Sequence, residues 1–304
     1  MDGQPGHRRG PRHRGPCLAL GGAALVGGRR PPAVQLSRSG SSAVAREPWY
    51  AGTILLGKGL LRGLDVKRAW HGTEHLPTDG PVLLASNHAS FPDFAFVGEA
   101  GLSRGRRIRF LCRHDMWDVP VVGRAMRSMR HVPVDREAPA AAYLAARRLL
   151  REGEPVCAFP EAGVSHSYTI RALMPGVAAL ARETGVPVVP VAVWGQQRLW
   201  PLRRHLEERA QLSLQRGIRV DVAFGPAFSV EPGADLVEVT RDLGQRMTGL
   251  LEGLQSLAHH RPRPGEKARW HPAHLGGTAP TRTAAEPLDL LPRSAIRPTW
   301  GPEV

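Results

Sequence analysis

Between residues 66 and 258 the chain switches between short, mostly apolar runs and longer stretches in which apolar residues recur every three or four positions. The short runs fall at 66–71, 82–86, 108–112, 131–134, 156–159, 188–194 and 220–224. Those at 82–86, 156–159 and 188–194 are almost wholly apolar, as expected of strands buried on both faces. The periodic stretches fall at 93–102, 121–129, 138–151, 176–183 and 235–258. In the last of these Leu236, Val239, Leu243, Met247, Leu250, Leu254 and Leu257 form one helical stripe. Strands alternating with helices predict an α/β fold, a single domain with a central, mostly parallel or mixed β-sheet flanked by helices.

Upstream of this pattern, residues 49–64 place Ile54, Leu55, Leu56, Leu60, Leu61 and Leu64 at helical spacing, with Lys58 and Arg62 between them and Trp49 and Tyr50 at one end. Two readings stay open, an interfacial helix lying on a membrane and a helix packed on the domain. Residues 1–48 and 259–304 lack periodicity and are rich in Arg, Gly and Pro, with His added in the second. Both are expected to be disordered tails, leaving one domain at 49–258.

Charge changes this picture little. The net charge is +14, but much of the excess lies in the tails: residues 1–48 hold eight Arg against only Asp2 and Glu47. A mildly basic domain suits anionic headgroups or a phosphate-bearing carrier, and nucleic acid is not an expected partner because no binding motif accompanies the charge. Cys17, Cys112 and Cys157 form neither a disulfide framework nor a zinc motif. No apolar run is long enough to span a bilayer. The Gly-rich stretch 17–28 follows basic residues like a signal peptide but is only weakly hydrophobic, and the expected location is peripheral, on the cytoplasmic face of the cell membrane.

The strongest candidate chemistry is Ser86-Asn87-His88-Ala89-Ser90-Phe91-Pro92-Asp93, between an apolar strand and an apolar helix. Active sites of open α/β sheets gather at such strand ends. His88 is the side chain suited to a general base near neutral pH. Asp93 has two open readings: a carboxylate that folds back to orient the imidazole, or the end of a Ser-x-x-Asp capping box. No metal is expected at this pair, since no further ligands stand at suitable spacing.

Three blocks follow in order: His131-Val-Pro-Val-Asp135-Arg136, Phe159-Pro160-Glu161-Ala162-Gly163-Val164-Ser165, and the Val/Pro strand that begins at Val186. With the first block, they resemble the glycerolipid acyltransferase family, which includes bacterial lysophosphatidate acyltransferases, over about residues 66–228. The resemblance implies an O-acyltransferase of phospholipid biosynthesis or remodelling. It needs no cofactor, its donor is acyl-CoA or acyl-carrier protein, and its acceptor is a lysophospholipid. It implies catalytic His88 and Asp93, and acceptor binding by Arg136, Glu161, Gly163 and Ser165. Arg113 stands where the family often carries a basic residue.

One departure stands out. The family's third block reads F-P-E-G-T-R-S, whereas this chain has Ala162-Gly163-Val164-Ser165. A second phosphate-binding Arg is missing, with Arg171 or His166 nearby as replacements, and a glycolipid acceptor becomes an alternative. A serine hydrolase is disfavoured because Gly163-Val-Ser165-His-Ser167 lacks the closing glycine of a nucleophile elbow. A non-catalytic lipid-binding relative is disfavoured by the intact His88 and Asp93.

Overall fold

The computed structural model describes residues 48–202, 213, 215–289 and 291. The expected N-terminal tail lies, apart from Pro48, outside them. An opening helix, α1 (Pro48–Gly63), leads into β1 (Lys67–His71) and β2 (Val82–Ser86), and α2 (Asp93–Leu102) and β3 (Arg109–Arg113) follow. Next come α3 (Pro120–Ser128), β4 (Val132–Val134), α4 (Ala140–Arg151), β5 (Pro155–Ala158) and α5 (Gly176–Thr184). The chain continues through β6 (Val188–Trp194), β7 (Arg219–Phe224), α6 (Leu236–Gln255) and the short α7 (Arg282–Ala285).

The seven strands form one sheet in the order β1-β7-β6-β2-β5-β3-β4. Five of them, from β6 to β4, run parallel, and β1 with β7 runs against them through the antiparallel β6–β7 pair. In β2 successive side chains go to opposite faces. Leu83 and Ala85 join one apolar cluster with α4, α5 and α6, while Val82 and Leu84 join the other with Phe96 and Val97 of α2. Burial on both faces accounts for the lack of polar alternation in the sequence. α6 is capped at its start by Asp235, whose side chain accepts from the N–H groups of Val237 and Glu238 at 2.6 and 3.2 Å.

The C-terminal segment corrects the expectation of a tail starting at residue 259. Its described part, from 259 to 289, packs on the domain. His260, Ala268, Trp270, Ala279 and Ala285 are buried, and Trp270 meets Trp194 of β6 at 6.5 Å between ring centroids. The Arg198 guanidinium lies 4.4 Å over the Trp270 ring and is tied to Glu266 at 2.9 Å. The segment docks through single anchors with no repeat between them, so it carries no periodic signature and its Pro/Arg composition misleads.

Candidate active site

At the end of β2, Asn87 binds across to β6. Its side chain donates to the carbonyl of Val193 at 3.2 Å and accepts from the Val193 N–H at 2.7 Å. The chain then turns through His88 into α2. Asp93, the first residue of that helix, is fully buried. Its Oδ2 lies 2.8 Å from His88 Nδ1 and accepts from the N–H groups of Ala89 and Ser90 at 2.8 and 3.0 Å. Its Oδ1 accepts from Gln196 Nε2 at 2.7 Å. Asp93 therefore does both things the sequence left open: it gathers the N–H groups of the turn and it holds the imidazole. With Asp93 acting as acceptor throughout, Nδ1 of His88 carries the proton and Nε2 keeps its lone pair.

His88 is half-buried, and its ring stacks on Phe159 at 4.5 Å. Its own backbone is fixed on both sides. The His88 N–H donates to Glu161 Oε1 at 2.7 Å, and its carbonyl accepts from the Ser165 N–H, also at 2.7 Å. Glu161 is fully buried, and its other oxygen accepts from the Arg171 N–H at 2.9 Å. Burial pushes its carboxyl up to about 8, against the opposing pull of those two N–H groups.

The structure divides the residues expected to bind the acceptor. Arg136, Gly163 and Arg171 come together. The Arg136 guanidinium donates to the Ala162 carbonyl at 2.7 Å, and that of Arg171 donates to the Val164 carbonyl at 3.1 Å. A Cβ built on Gly163 would stand 3.0 Å from Arg171 Nη1 and 3.4 Å from Arg136 Nη2. Burial lowers the Arg136 pKa, and the charges of Arg113 and Arg171 lower it further. Arg113 itself is exposed and pairs with Asp115. Glu161 and Ser165 point the other way. Both are buried, and the Ser165 hydroxyl donates to the Thr169 carbonyl at 2.6 Å, so they order the loop and offer no face to a substrate. Ala162, where the resembling family has glycine, sits in the left-handed region with φ 53°.

Two contributors escaped the sequence reading, and a third, Arg171, entered it only as a stand-in. Gln196 reaches Asp93 because Gly195 ends β6 at φ 107°, where a Cβ would come within 2.0 Å of the Arg219 carbonyl oxygen. Asp289, near the end of the described chain, accepts from the His166 N–H and meets His166 Nδ1 at 3.0 and 2.7 Å, beside Arg171. Gln196 carried a legible signal, a polar residue next to a strand-ending glycine. Asp289 carried none. Arg106 and Arg109 are buried against the carbonyls of Gly80 and Met129. Burial raises the Cys112 thiol to about 12 and the Cys157 thiol well above its usual value, so neither is a nucleophile.

A histidine–carboxylate pair thus stands at a strand end, and two guanidinium groups lie beside Gly163 on the loop that bonds the His88 backbone. Residues 67–194 match the family model described as Acyltransferase. Over 134 residues the chain is 34% identical to the chloroplastic 1-acyl-sn-glycerol-3-phosphate acyltransferase BAT2 of Brassica napus, covering 43% of this chain and 38% of that one. It is 28% identical over 189 residues to the 1-acyl-sn-glycerol-3-phosphate acyltransferase of Bacillus subtilis, covering 62% of this chain and 89% of that one. In fold it resembles the crystal structure of the 1-acyl-sn-glycerophosphate acyltransferase PlsC from Thermotoga maritima, with a TM-score of 0.55, 19% identity and coverage of 69% and 90%. The chain is thus similar to the glycerolipid acyltransferases over residues 67–194. It spans less than half the length of the plant relatives it matches.

Proposed function

We propose that the protein transfers a fatty acyl group from acyl-CoA or acyl-carrier protein to a hydroxyl of a lysophospholipid, with 1-acylglycerol-3-phosphate as the preferred acceptor. The observation that carries this reading is the 2.8 Å bond between His88 Nδ1 and Asp93 Oδ2, in a family whose named relatives act on that acceptor. His88 Nε2 takes the proton of the acceptor hydroxyl as its oxygen attacks the thioester carbonyl carbon. The carbon–sulfur bond then breaks, and the proton passes from the imidazole to the leaving thiolate. No covalent intermediate on the enzyme is needed. The buried Asp93 keeps the ring in the tautomer this step requires and steadies the imidazolium that forms.

Arg136 and Arg171 provide for the phosphate. Their guanidinium groups both lie beside Gly163, and burial together with the like charges of Arg113 and Arg171, which lower the Arg136 pKa, favours an anion placed between them. Gly163 leaves room for Arg171 to stand in for the Arg replaced by Val164, which favours a phosphate-bearing acceptor over a glycolipid. For the acyl chain, an apolar cleft between α1 and α2 is lined by Leu61, Phe94, Leu102, Phe110 and Met129. Phe110 of its lining stacks on Phe159, which in turn stacks on the His88 ring.

Access to lipid fits a peripheral position on the cytoplasmic membrane face. No helix among the described residues is long and apolar enough to cross a membrane. On α1, Leu55, Leu56 and Leu60 are exposed beside Lys58 and Arg62, the pattern of a helix lying on an anionic surface. Trp49 and Tyr50, the expected interfacial anchors, lie outside the described side chains.

The test is thiol release from palmitoyl-CoA with a panel of lyso-acceptors, comparing wild type with His88→Ala and Asp93→Asn. Wild type should release thiol fastest with 1-acylglycerol-3-phosphate, and the variants should be slower by about 10²–10⁴-fold. Equal, acceptor-independent release from all three proteins overturns the proposal.

A further inference from the structure

Outside the His88 site, a second buried carboxylate gathers imidazoles. Asp221 of β7 is 1% exposed. His71, the last residue of β1, places Nε2 2.7 Å from Asp221 Oδ1. His259 and His260, consecutive residues just after α6, place their Nε2 atoms 2.8 and 2.9 Å from Oδ2. The acyl-transfer mechanism uses none of these groups. The donor atoms of Asp221, His259 and His260 lie within 4.8 Å of one another, and the two histidine rings are 4.5 Å apart. His260 is fully buried, and its Nδ1 has no hydrogen-bond partner among the described residues.

We infer that Asp221, His259 and His260 bind one divalent transition-metal ion of the zinc class, with water in the fourth position and His71 holding the other oxygen of the carboxylate. Two imidazoles and a carboxylate with an open fourth position suit zinc. Zinc holds such atoms at about 2.0–2.2 Å, which separates neighbouring ligand atoms by roughly 3.3–3.5 Å. The present nitrogen–oxygen spacings of 2.8 and 2.9 Å need to open by only about half an ångström as the ion replaces the shared protons. The site has an entry path, because the His71 side chain is 46% exposed.

Two cations oppose binding and define its limits. Arg198 lies near enough to His260 to act on its charge, and it is held by Glu266. Arg219 Nη1 is 3.4 Å from His259 Nδ1. A guanidinium only donates, whereas an imidazole bound to metal through Nε2 carries a proton on Nδ1. Arg219 is exposed and must turn away on binding. The bound ion would fasten β7 to the start of the C-terminal segment, the segment that brings Asp289 to the loop beside Arg171.

Full-length protein stripped with a chelator and then exposed to Zn²⁺ should retain about one zinc per chain after gel filtration. His259→Ala/His260→Ala should lose this zinc and His274→Ala should keep it. Zinc should raise the wild-type Tm by about 4 °C or more, and Arg219→Gln should bind more tightly than wild type. Because the double variant could fail to fold, Co²⁺ loaded into wild type provides an independent readout through its visible absorption. An intense four-coordinate band supports the site. The weak spectrum of hydrated cobalt, or wild-type zinc retention no greater than that of a folded double variant, overturns it.

Discussion

Two buried carboxylates in this protein hold imidazoles, and they are built in opposite ways. Asp93 takes one histidine, and its other partners are two N–H groups of its own turn and the Gln196 amide. Asp221 takes three histidines, from two segments far apart in the chain. The first arrangement fixes a carboxylate rigidly and leaves one ring nitrogen available, which suits proton transfer. The second spends every visible bond on side chains that join β1, β7 and the C-terminal segment, which suits fastening. A histidine beside a carboxylate is thus not a catalytic signature in itself. What matters is whether the other bonds to the carboxylate preorganise one imidazole or tie several together.

Exchange of the two carboxylates tests that contrast most severely. Asp93→Asn should slow acyl transfer by about 10²–10⁴-fold while the protein stays folded. Asp221→Asn should instead lower stability by about 1–3 kcal/mol, because three buried or half-buried rings lose a charged acceptor. Thiol-release rates measured beside urea unfolding separate the two, and a collapse of activity without loss of stability in Asp221→Asn would erase the distinction.

A further contrast lies in the loop behind His88. Glu161, raised from 4.5 to about 8, binds a proton in the folded state that the unfolded chain lacks between those values. Its contribution to stability is therefore complete below about pH 4.5 and is lost as pH rises through about 8, up to several kcal/mol. Thermal unfolding followed across that range should show the decline in wild type and a flatter profile in Glu161→Gln.

On the anion side of the site, Arg171→Gln should raise KM for 1-acylglycerol-3-phosphate about tenfold, the loss of roughly one charge-assisted hydrogen bond. KM for an uncharged lyso-acceptor should not change. Equal effects on both acceptors would assign Arg171 to loop structure alone. The smallest effect is expected at Ala162, where glycine should relieve the left-handed backbone and stabilise the protein by about 1 kcal/mol, measurable as a rise in Tm.

The His88–Asp93 corner was legible because it is local. His88 and Asp93 stand five residues apart at a strand-to-helix junction, and the apolar runs on either side bracket them. Arg136 and Gly163 were legible through their motifs, but the division of labour in the third block was not. Glu161 and Ser165 looked like residues that bind substrate, yet they face inward, because a loop that crosses under His88 must satisfy the main-chain groups of both turns. Arg171 and Asp289 meet across more than a hundred residues of chain, a distance over which no spacing rule operates.

From the order of residues alone came the strands, the helices, the sheet-with-helices class and the imidazole–carboxylate pair. These depend on short-range periodicity and on turns a few residues long, where stereochemistry leaves few choices. Tertiary structure decided the rest: the docking of residues 259–289 through isolated anchors, the reach of Gln196 to Asp93, and the convergence of His71, Asp221, His259 and His260. Each depends on which strands become neighbours in the sheet, and that is set by the burial of both faces at once, a property of the whole chain rather than of any segment.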